Sequence, residues 1–229
     1  MLEQLKLDVL QANLDLVKNG LVLFTWGNVS AIDRESGYVV IKPSGVEYVN
    51  MSAEDMVVVD LDGKIAEGKY RPSSDTPTHL EIYKQHSEIG GIVHTHSAYA
   101  TAFAQAGRRI PVYGTTHADY FYGDIPCART LTFAETEDYE KNTGVIINET
   151  FAHKDVSAVP ACLVAHHGVF AWGKNASQAV YHATVAEQVA KTAFLTELLG
   201  GSDVLPRHIA DKHYKRKHGK NAYYGQNKR

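Results

Sequence analysis

The chain has 229 residues, of which 44% are hydrophobic and 21% are charged, and its formal net charge is −3. This composition is typical of a soluble globular protein and gives no global basic field of the kind that attracts nucleic acid. The sequence shows no internal repeat and no linker, so one domain is predicted over residues 1–229. Two cysteines without metal-type spacing, and an N-terminus that lacks a signal-peptide core, predict a cytoplasmic protein. No stretch approaches the roughly 18–20 apolar residues that span a membrane.

In the first half of the chain, periodicity and turn residues predict two helices and two pairs of strands. Leucines and valines at spacings of three and four over residues 2–19 predict an amphipathic helix with a glycine stop. Strands are predicted in VSAID and GYVVIKP, and a hairpin with an Asp-Gly turn in MVVVDLDGKIAEG. A capping box is predicted in SAED (52–55). A helix is predicted in TPTHLEIYKQH, with Thr76 as its N-cap and Pro77 at its first position.

The second half predicts a buried strand, a helix, two more strands and two final helices. The strand is GGIVHTHS (90–97), the helix AYATAFAQAG, and two strands flank a His-His-Gly turn in ACLVAHHGVFAWG. The final helices are NASQAVYHATVAEQVAKTAFLTELLGG and LPRHIADKHYKRKHG. The basic block KHYKRKHGK (212–220) is interpreted as a solvated helix face rather than a nucleic-acid contact. Since some neighbouring strands resemble hairpins, we expect a mixed sheet flanked by helices.

Two histidines, His94 and His96, stand one residue apart at the end of the predicted strand. Strand side chains alternate, so both imidazoles point the same way with Cβ atoms roughly 6–7 Å apart. That spacing allows both to bind one metal ion, and a catalytic site needs about one more protein ligand. The candidates are His166 and His167, at a second strand end. The chain contains 12 histidines, so a chance occurrence of the pair is the alternative interpretation. If the histidines bind a metal ion, imidazole ligands favour zinc, which can stabilise an enolate oxygen.

Three short segments are candidates for binding an anion. They are WGNVS (26–30), KPSG (42–45) and SSDTP (73–77). A helix start presents free N–H groups and a positive dipole end, and Lys42 would supply a formal charge. The nucleotide-binding patterns GxxxxGK[ST] and GxGxxG are both lacking, so no nucleotide is expected. For any one segment, a plain turn made by Ser, Gly and Pro is the favoured interpretation. The best of the three candidates is SSDTP (73–77), where a helix is predicted to start.

Seven segments in chain order resemble the class II aldolase/epimerase family. They are TWGNVSA, IKPSGV, SSDTPTH, GGIVHTHS, GTTHADYFYG, HHGVFAWGKN and KHYKRKHGKNAYYGQ. No single segment is decisive, but seven in order over nearly the whole chain are specific. The resemblance implies an α/β fold, a single domain with a mostly antiparallel central sheet flanked by helix layers. It also implies a cyclic homotetramer with active sites at the subunit interfaces.

The resemblance also implies a role for individual residues. It implies one zinc ion per subunit, with Mn²⁺ or another divalent ion as the alternative, held by His94, His96 and His167 with Asp75 as a fourth group. It implies that Asp119 and Tyr224 are the acid/base pair. The substrate-binding and supporting positions that it implies are Gly27, Asn28, Lys42, Ser44, Gly45, Ser73, Ser74, Thr115, Glu140 and His213. The match at Glu140 is loose, because residues 133–142 resemble the family least.

The reaction that the resemblance implies interconverts L-ribulose 5-phosphate and D-xylulose 5-phosphate by zinc-dependent retro-aldol cleavage and re-formation of the C3–C4 bond. The setting would be carbohydrate metabolism, such as arabinose catabolism. One alternative is a sugar-phosphate aldolase of the same family, in which Glu occupies the position of Asp75. Another is a non-catalytic scaffold of the same fold, similar to adducin heads. The intact set of His94, His96 and His167 argues against the scaffold.

Overall fold

The computed structural model describes residues 2–201, 203–220 and 222–225, and eight strands in them form one sheet. The strands are β1 (Asn28–Ile32), β2 (Val39–Ile41), β3 (Val57–Val59), β4 (Ile65–Glu67), β5 (Gly91–Thr95), β6 (Cys127–Ala128), β7 (Ala161–Val164) and β8 (Val169–Gly173). Their order is β4-β3-β2-β1-β5-β8-β7-β6. Neighbouring strands are antiparallel except for β6 and β7, which are parallel. The expectation of a mostly antiparallel sheet is therefore confirmed.

Seven α-helices flank the sheet within the described part of the chain. They are α1 (Glu3–Lys18), α2 (Thr76–Gln85), α3 (Ala98–Gln105), α4 (Thr115–Ala118), α5 (Tyr139–Thr150), α6 (Ala176–Leu198) and α7 (Arg207–His218). The hairpin of β3 with β4 and the capping box between Ser52 and Asp55 are confirmed. Helices α4 and α5 were not predicted from the sequence. No helix in these residues combines the length and the apolar character that crossing a bilayer would need.

The start of α2 differs by one residue from the sequence prediction. The helix begins at Thr76, so Asp75 occupies the N-cap position, and Pro77 is the second helical residue. The Asp75 side chain makes no capping hydrogen bond. Instead, the backbone N–H and the hydroxyl of Thr76 both donate to the carbonyl oxygen of Ser73, at 3.0 and 2.6 Å. The Asp75 carboxylate is thereby left to interact with other elements.

The central strands place a row of polar side chains on one face of the sheet. Asn28 pairs with His94 across β1 and β5, and His94 pairs with Phe170 across β5 and β8. Cross-strand partners share a face, and so does Ser30, two residues after Asn28. Helices α2 and α5 pack against each other and cover this face, where His79 of α2 contacts Ser30. The sheet thus carries polar groups beneath a layer of two helices.

Helices α1 and α6 cover the opposite face. The side-chain amide of Asn13 fixes α1 to β1, because it donates to the carbonyl of Val29 and accepts from the N–H of Val29. Helix α6 crosses β5 and β8 so closely that a Cβ on Gly91 would lie 2.4 Å from the carbonyl carbon of Asn175. The buried face of α6 is rich in small side chains, at Ala176, Ala179, Ala183, Ala186, Ala190 and Ala193. This close packing fixes the strand that carries His94.

Candidate active site

Three histidines from two strand ends come together on the polar face. His94 is the fourth residue of β5, His96 follows its end, and His167 lies in the turn between β7 and β8. One ring nitrogen from each lies within 4.8 Å of the corresponding atoms of the other two. Phe170 stacks on the His94 ring with centroids 4.2 Å apart and an angle of 19° between the planes. The strand ends therefore present three imidazoles to a common point.

The protonation of these rings fits a divalent metal ion. Nδ1 of His94 lies 3.1 Å from the Val169 carbonyl oxygen, which can only accept, so Nδ1 carries a proton, and in the neutral ring Nε2 presents a lone pair. That Nε2 lies 3.0 Å from Nε2 of His96. Nδ1 of His167 is buried, and no described atom offers it a hydrogen bond. Burial and the neighbouring histidines lower the pKa of His167 to about 3, so it is neutral, which is the form that ligates metals.

The turn between β7 and β8 separates the two neighbouring histidines. His166 has a φ of 62°, in the left-handed region, and is exposed, whereas His167 faces the other two imidazoles. Gly168 allows this approach: a Cβ there would lie 2.7 Å from the Thr95 carbonyl oxygen and 2.9 Å from Cδ2 of His96. The turn brings His167, and not His166, to the cluster.

Asp75 lines the same cavity as the three histidines. It is not part of the group whose ligand atoms all lie within 4.8 Å of one another. Its Oδ2 accepts a 2.6 Å hydrogen bond from Nδ2 of Asn28. Burial opposes ionisation of this carboxyl, but nearby His94 and His79 and the bond from Asn28 outweigh it and lower its pKa. Asp75 is therefore a carboxylate at neutral pH, and it lies next to the three imidazoles.

Lys42 supplies a buried positive charge on the other side of the same cavity. It is 2% exposed, its Nζ donates to the carbonyls of Thr25 and Pro43 at 3.3 and 3.4 Å, and it lies 5.0 Å from the ring centroid of Tyr48. In the described ranges no carboxylate pairs with it. Burial lowers the pKa of Lys42 to about 8. A buried ammonium without an anionic partner is unfavourable, and a bound anion would compensate it.

The cavity between the lysine and the histidines has a volume of about 470 Å³. The predicted site residues that line it are Gly27, Asn28, Lys42, Ser44, Gly45, Ser73, Ser74, Asp75, His94, His96, Glu140 and His167. Gly27 and Gly45 adopt φ values of 73° and 68°, which favour glycine. At Gly27 a Cβ would also lie 2.9 Å from the carbonyl oxygen of His94. The three candidate anion-binding segments thus converge on one space next to the three histidines.

The other predicted residues form a second cluster around Asp119. This side chain is 6% exposed and follows α4. Arg216 of α7 donates to both of its oxygens, at 2.8 and 2.5 Å, and Nδ1 of His213 lies 3.1 Å from Oδ1. Burial acts to raise the pKa of Asp119, but the hydrogen bonds from Arg216 and His213 prevail and lower it. His213, Arg216 and Lys217 of the basic block are therefore turned toward one carboxylate, whereas Lys212, Lys215 and Lys220 are exposed.

Tyr224 lies next to this second cluster. Lys217 stands 4.2 Å and Arg216 5.1 Å from its ring centroid, and the ring is 61% exposed. Thr115, the first residue of α4, lines a neighbouring pocket of about 490 Å³. Of the predicted site residues, Asp119, Thr115, His213 and Tyr224 do not line the cavity of the histidines. Within one chain the predicted acid/base pair and the predicted metal ligands are separate.

Comparison with known proteins identifies the family of this chain. A family model described as the class II aldolase and adducin N-terminal domain matches residues 7–194. The chain belongs to the class II aldolase family. Two curated relatives in Salmonella paratyphi A and Salmonella typhi, both named L-ribulose-5-phosphate 4-epimerase UlaF, are 56% identical over 227 residues. The matches cover 98% of this chain and 100% of each relative.

A solved structure supports the same class II aldolase fold. An L-fuculose 1-phosphate aldolase superposes with a TM-score of 0.80 and 28% sequence identity, and the match covers 93% of this chain and 95% of that one. The family resemblance predicted from the seven segments is therefore confirmed. The mostly antiparallel sheet flanked by helices is the class II aldolase fold in this chain.

Two residues in or beside this candidate site were missed by the sequence analysis. Tyr139, the first residue of α5, lines the cavity, and its ring centroid lies 5.8 Å from that of His167. His79 is fully buried beside Asp75 and His94, although the sequence analysis did not single it out. The position of His79 four residues after Asp75, on the same face of α2, was the one available signal.

Proposed function

We propose that the chain is an L-ribulose-5-phosphate 4-epimerase, which interconverts L-ribulose 5-phosphate and D-xylulose 5-phosphate. The observation that carries the proposal is one cavity lined both by three imidazoles suited to a metal ion and by a buried lysine without a carboxylate. The full-length similarity to two proteins of that name supports the choice of substrate. The inverted carbon is not adjacent to the carbonyl, so its C–H is not acidic, and inversion proceeds through cleavage of the C3–C4 bond.

His94, His96 and His167 would hold one zinc ion, because imidazole nitrogen suits zinc, and Asp75 would be a fourth group near it. When bound, a divalent ion supplies Lewis-acid stabilisation of negative charge that develops on a substrate oxygen. The Val169 carbonyl keeps the proton of His94 on Nδ1, and Asn28 keeps the Asp75 carboxylate beside the histidines. These hydrogen bonds orient the ligands before any ion arrives.

The substrate phosphate would bind at the opposite end of the cavity. Lys42 would supply the charge, and the hydroxyls of Ser44, Ser73 and Ser74 would donate hydrogen bonds. Retro-aldol cleavage releases C4 and C5 as glycolaldehyde phosphate. A tethered phosphate keeps this fragment in place while its aldehyde turns to present the other face. Re-formation of the bond is then effectively intramolecular.

Cleavage of the C3–C4 bond requires that the C4 hydroxyl lose its proton, and re-formation requires that the new C4 oxygen gain one. We assign these two proton transfers, one on each face, to Asp119 and Tyr224. Neither side chain lines the cavity of its own chain. We therefore propose a homotetramer in which a neighbouring subunit brings its Asp119 cluster to the cavity. Thr115, Glu140 and His213 would support the substrate there.

We further propose that residues 1–229 form one domain that works in cytoplasmic pentose metabolism, such as arabinose catabolism. Both cysteines, Cys127 and Cys162, are free thiols, which fits a reducing compartment. The pathway assignment follows from the proposed substrate.

The decisive experiment is incubation of zinc-loaded protein with L-ribulose 5-phosphate, with formation of D-xylulose 5-phosphate as the readout. We expect conversion that stops when a chelator removes the metal and returns when zinc is added back. Folded, zinc-loaded protein that gives no D-xylulose 5-phosphate would refute the epimerase proposal. Metal content per subunit is measured on the same sample, since a non-catalytic scaffold need not bind metal.

The second candidate is a sugar-phosphate aldolase, favoured by the structural match to an L-fuculose 1-phosphate aldolase. An aldolase releases its fragments, whereas an epimerase retains them. Incubation with L-fuculose 1-phosphate and assay of free dihydroxyacetone phosphate separates the two. We expect little release, because Asp75 takes the place of the Glu expected in an aldolase and its shorter side chain changes the space beside the histidines.

A further inference from the structure

The ammonium of Lys217, in the last turn of α7, lies close to two aromatic rings and a carboxylate. Its Nζ is 3.9 Å from the ring centroid of Tyr120, 4.2 Å from that of Tyr224 and 3.7 Å from Oδ2 of Asp119. The side chain is only 10% exposed. One largely buried positive charge therefore touches both groups to which we assign the proton transfers, Asp119 and Tyr224.

The Asp119 carboxylate has a closer cation than Lys217. Arg216 donates to both of its oxygens, at 2.8 and 2.5 Å, and Nδ1 of His213 lies 3.1 Å from Oδ1. At 3.7 Å, the Lys217 ammonium is beyond the length of a normal hydrogen bond to Oδ2. Two cations thus share one anion, and the second of them faces aromatic rings. A cation within about 6 Å of a ring centroid is attracted by the ring face, more strongly where water is excluded.

The chain turns back after α7 and so returns Tyr224 to this ammonium. The backbone N–H groups of Tyr223 and Tyr224 both donate to the carbonyl oxygen of Arg216, at 3.0 and 3.1 Å. These bonds hold the backbone, whereas the Tyr224 ring is 61% exposed. The Lys217 ammonium lies 4.2 Å from its centroid, nearer than the Arg216 guanidinium at 5.1 Å, which is bound to Asp119. Lys217 is therefore the cation best placed to hold the ring.

Tyr120 connects Lys217 to the folded body of the protein. Its ring packs edge-on against that of Tyr181 in α6, with centroids 5.6 Å apart. Lys217, as the largest cause, and Tyr181 lower the pKa of Tyr120, although burial opposes this. The ammonium therefore acts on the Tyr120 phenol as well as contacting the ring of Tyr224. One of its two rings belongs to the helix layer, and the other belongs to the segment that follows α7.

We propose that Lys217 is a positioning residue: its ammonium, anchored at Tyr120, holds the Tyr224 ring beside Asp119, so that both proton-transfer groups are presented together to the cavity of the neighbouring subunit. Without this contact the exposed ring would rotate away, and Asp119 would be presented alone. This inference rests on the proposed function and adds to it a residue that acts through Tyr224 and not on the substrate.

The first test places 3-fluorotyrosine at position 224 of the full chain and records its fluorine NMR resonance, so it needs no turnover. We expect Lys217→Met to move this resonance toward its position in the unfolded chain and to narrow it, because the ring loses its contact. Lys217→Arg keeps a cation and should retain most of the wild-type shift. Lys215→Met removes an exposed lysine of the same helix and is the matched control, with no change expected. A folded Lys217→Met variant with the wild-type resonance would overturn the inference.

Kinetics separate positioning from a structural role. Lys217→Met should lower kcat for L-ribulose 5-phosphate about tenfold and leave KM within about threefold, because the phosphate-binding cavity is unchanged. In a Tyr224→Phe background the same substitution should cost less than about threefold, since the hydroxyl to be positioned is gone. Equal losses of kcat in the two backgrounds would overturn the inference.

Two further outcomes are distinguishable. If Lys217→Met does not fold, Lys217→Gln replaces it in both tests under the same criteria. Wild-type protein that forms no D-xylulose 5-phosphate would refute the proposed function and with it the role of Lys217 in proton transfer. The fluorine resonance would still decide whether Lys217 holds the Tyr224 ring.

Discussion

The side-chain amide of Asn28 donates a 2.6 Å hydrogen bond to Oδ2 of Asp75 and so joins the first residue of β1 to the N-cap residue of α2. Asn28 also pairs with His94 across the sheet. The bond therefore fixes the Asp75 carboxylate to the strand position that lies opposite His94. It couples the two halves of the cavity, because the strand and the helix that it connects each carry predicted ligands.

Replacement of Asn28 by alanine should lower kcat/KM for L-ribulose 5-phosphate by about 10–100-fold, because a hydrogen bond to a charged group is worth about 1.5–3 kcal/mol. Zinc content should stay near the wild-type value, since the three imidazoles remain. Steady-state kinetics measure the effect. The control is Asn19→Ala, which removes an exposed amide that bonds only to Thr184 on the other side of the molecule. Equal kinetics for the two variants would contradict the role of the bond.

The neighbouring histidines of the β7–β8 turn provide a matched pair. His167→Asn should reduce bound zinc well below one ion per subunit, because it removes one of three ring ligands. His166→Asn should leave zinc content unchanged, since His166 is exposed and its φ of 62° is one that asparagine adopts readily. Elemental analysis of the purified variants measures both. A loss of zinc from the His166 variant alone would reverse the assignment.

Lys42 predicts a pH dependence of substrate binding. Burial lowers its pKa to about 8, so the free protein carries the ammonium below that pH and loses it as the pH rises through it. KM for L-ribulose 5-phosphate should be flat below pH 7.5 and should rise toward tenfold per pH unit well above pH 8. In Lys42→Met, KM should be high, by about 10–100-fold, and flat over the same range. The same rise of KM in that variant would exclude Lys42 as its cause.

Subunit mixing tests whether one active site draws on two chains. His94→Asn lacks a metal ligand and Asp119→Asn lacks the proposed proton-transfer group, so each homotetramer should be inactive. In tetramers formed from equal amounts of the two, about a quarter of the interfaces would pair an intact metal cavity with an intact Asp119. We expect recovery of about a quarter of wild-type activity. No recovery in tetramers proven to be mixed would place both groups in one subunit's site.

His117 predicts a loss of stability in acid. It is 3% exposed, its ring N–H donates to the Gly123 carbonyl at 3.0 Å, and burial lowers its pKa from 6.5 to about 4. The unfolded chain therefore binds a proton at a higher pH than the folded chain does. This contribution to stability is complete above pH 6.5 and is lost as the pH falls toward 4, by about 3 kcal/mol. Urea unfolding at several pH values measures it, and His117→Gln should show a correspondingly shallower decline.

The convergence of His94 and His96 could be predicted because it depends on strand geometry alone. His94 and His96 point the same way in any strand, whatever surrounds it. The third imidazole of the cluster could not be chosen by spacing, since His166 and His167 are adjacent. The choice depends on the left-handed backbone at His166 and on the space that Gly168 leaves beside His96. Both are properties of a turn held between two paired strands.

Helix α5 shows why other parts could not be predicted. Its sequence, YEKNTGVIINET, contains a glycine and has no clean apolar period. The helix forms against α2, where Gly144 comes so close that a Cβ would lie 2.6 Å from Cβ of Glu81. That contact brings Tyr139 and Glu140 to the cavity. A glycine that weakens an isolated helix is therefore what permits this one to pack.

The sequence by itself determined the family, most of the strands and helices, and the residue types that suit a metal ion and a phosphate, because these depend on local periodicity and on motifs in order. Only the tertiary structure decided how those residues divide into sites. Twelve of the predicted residues line one cavity, whereas Asp119 is held by Arg216 in a separate cluster. The physical reason is that Asp119 and Arg216 are 97 positions apart in sequence. Contacts over such a separation are fixed by the packing of α4 on α7, which no local pattern encodes.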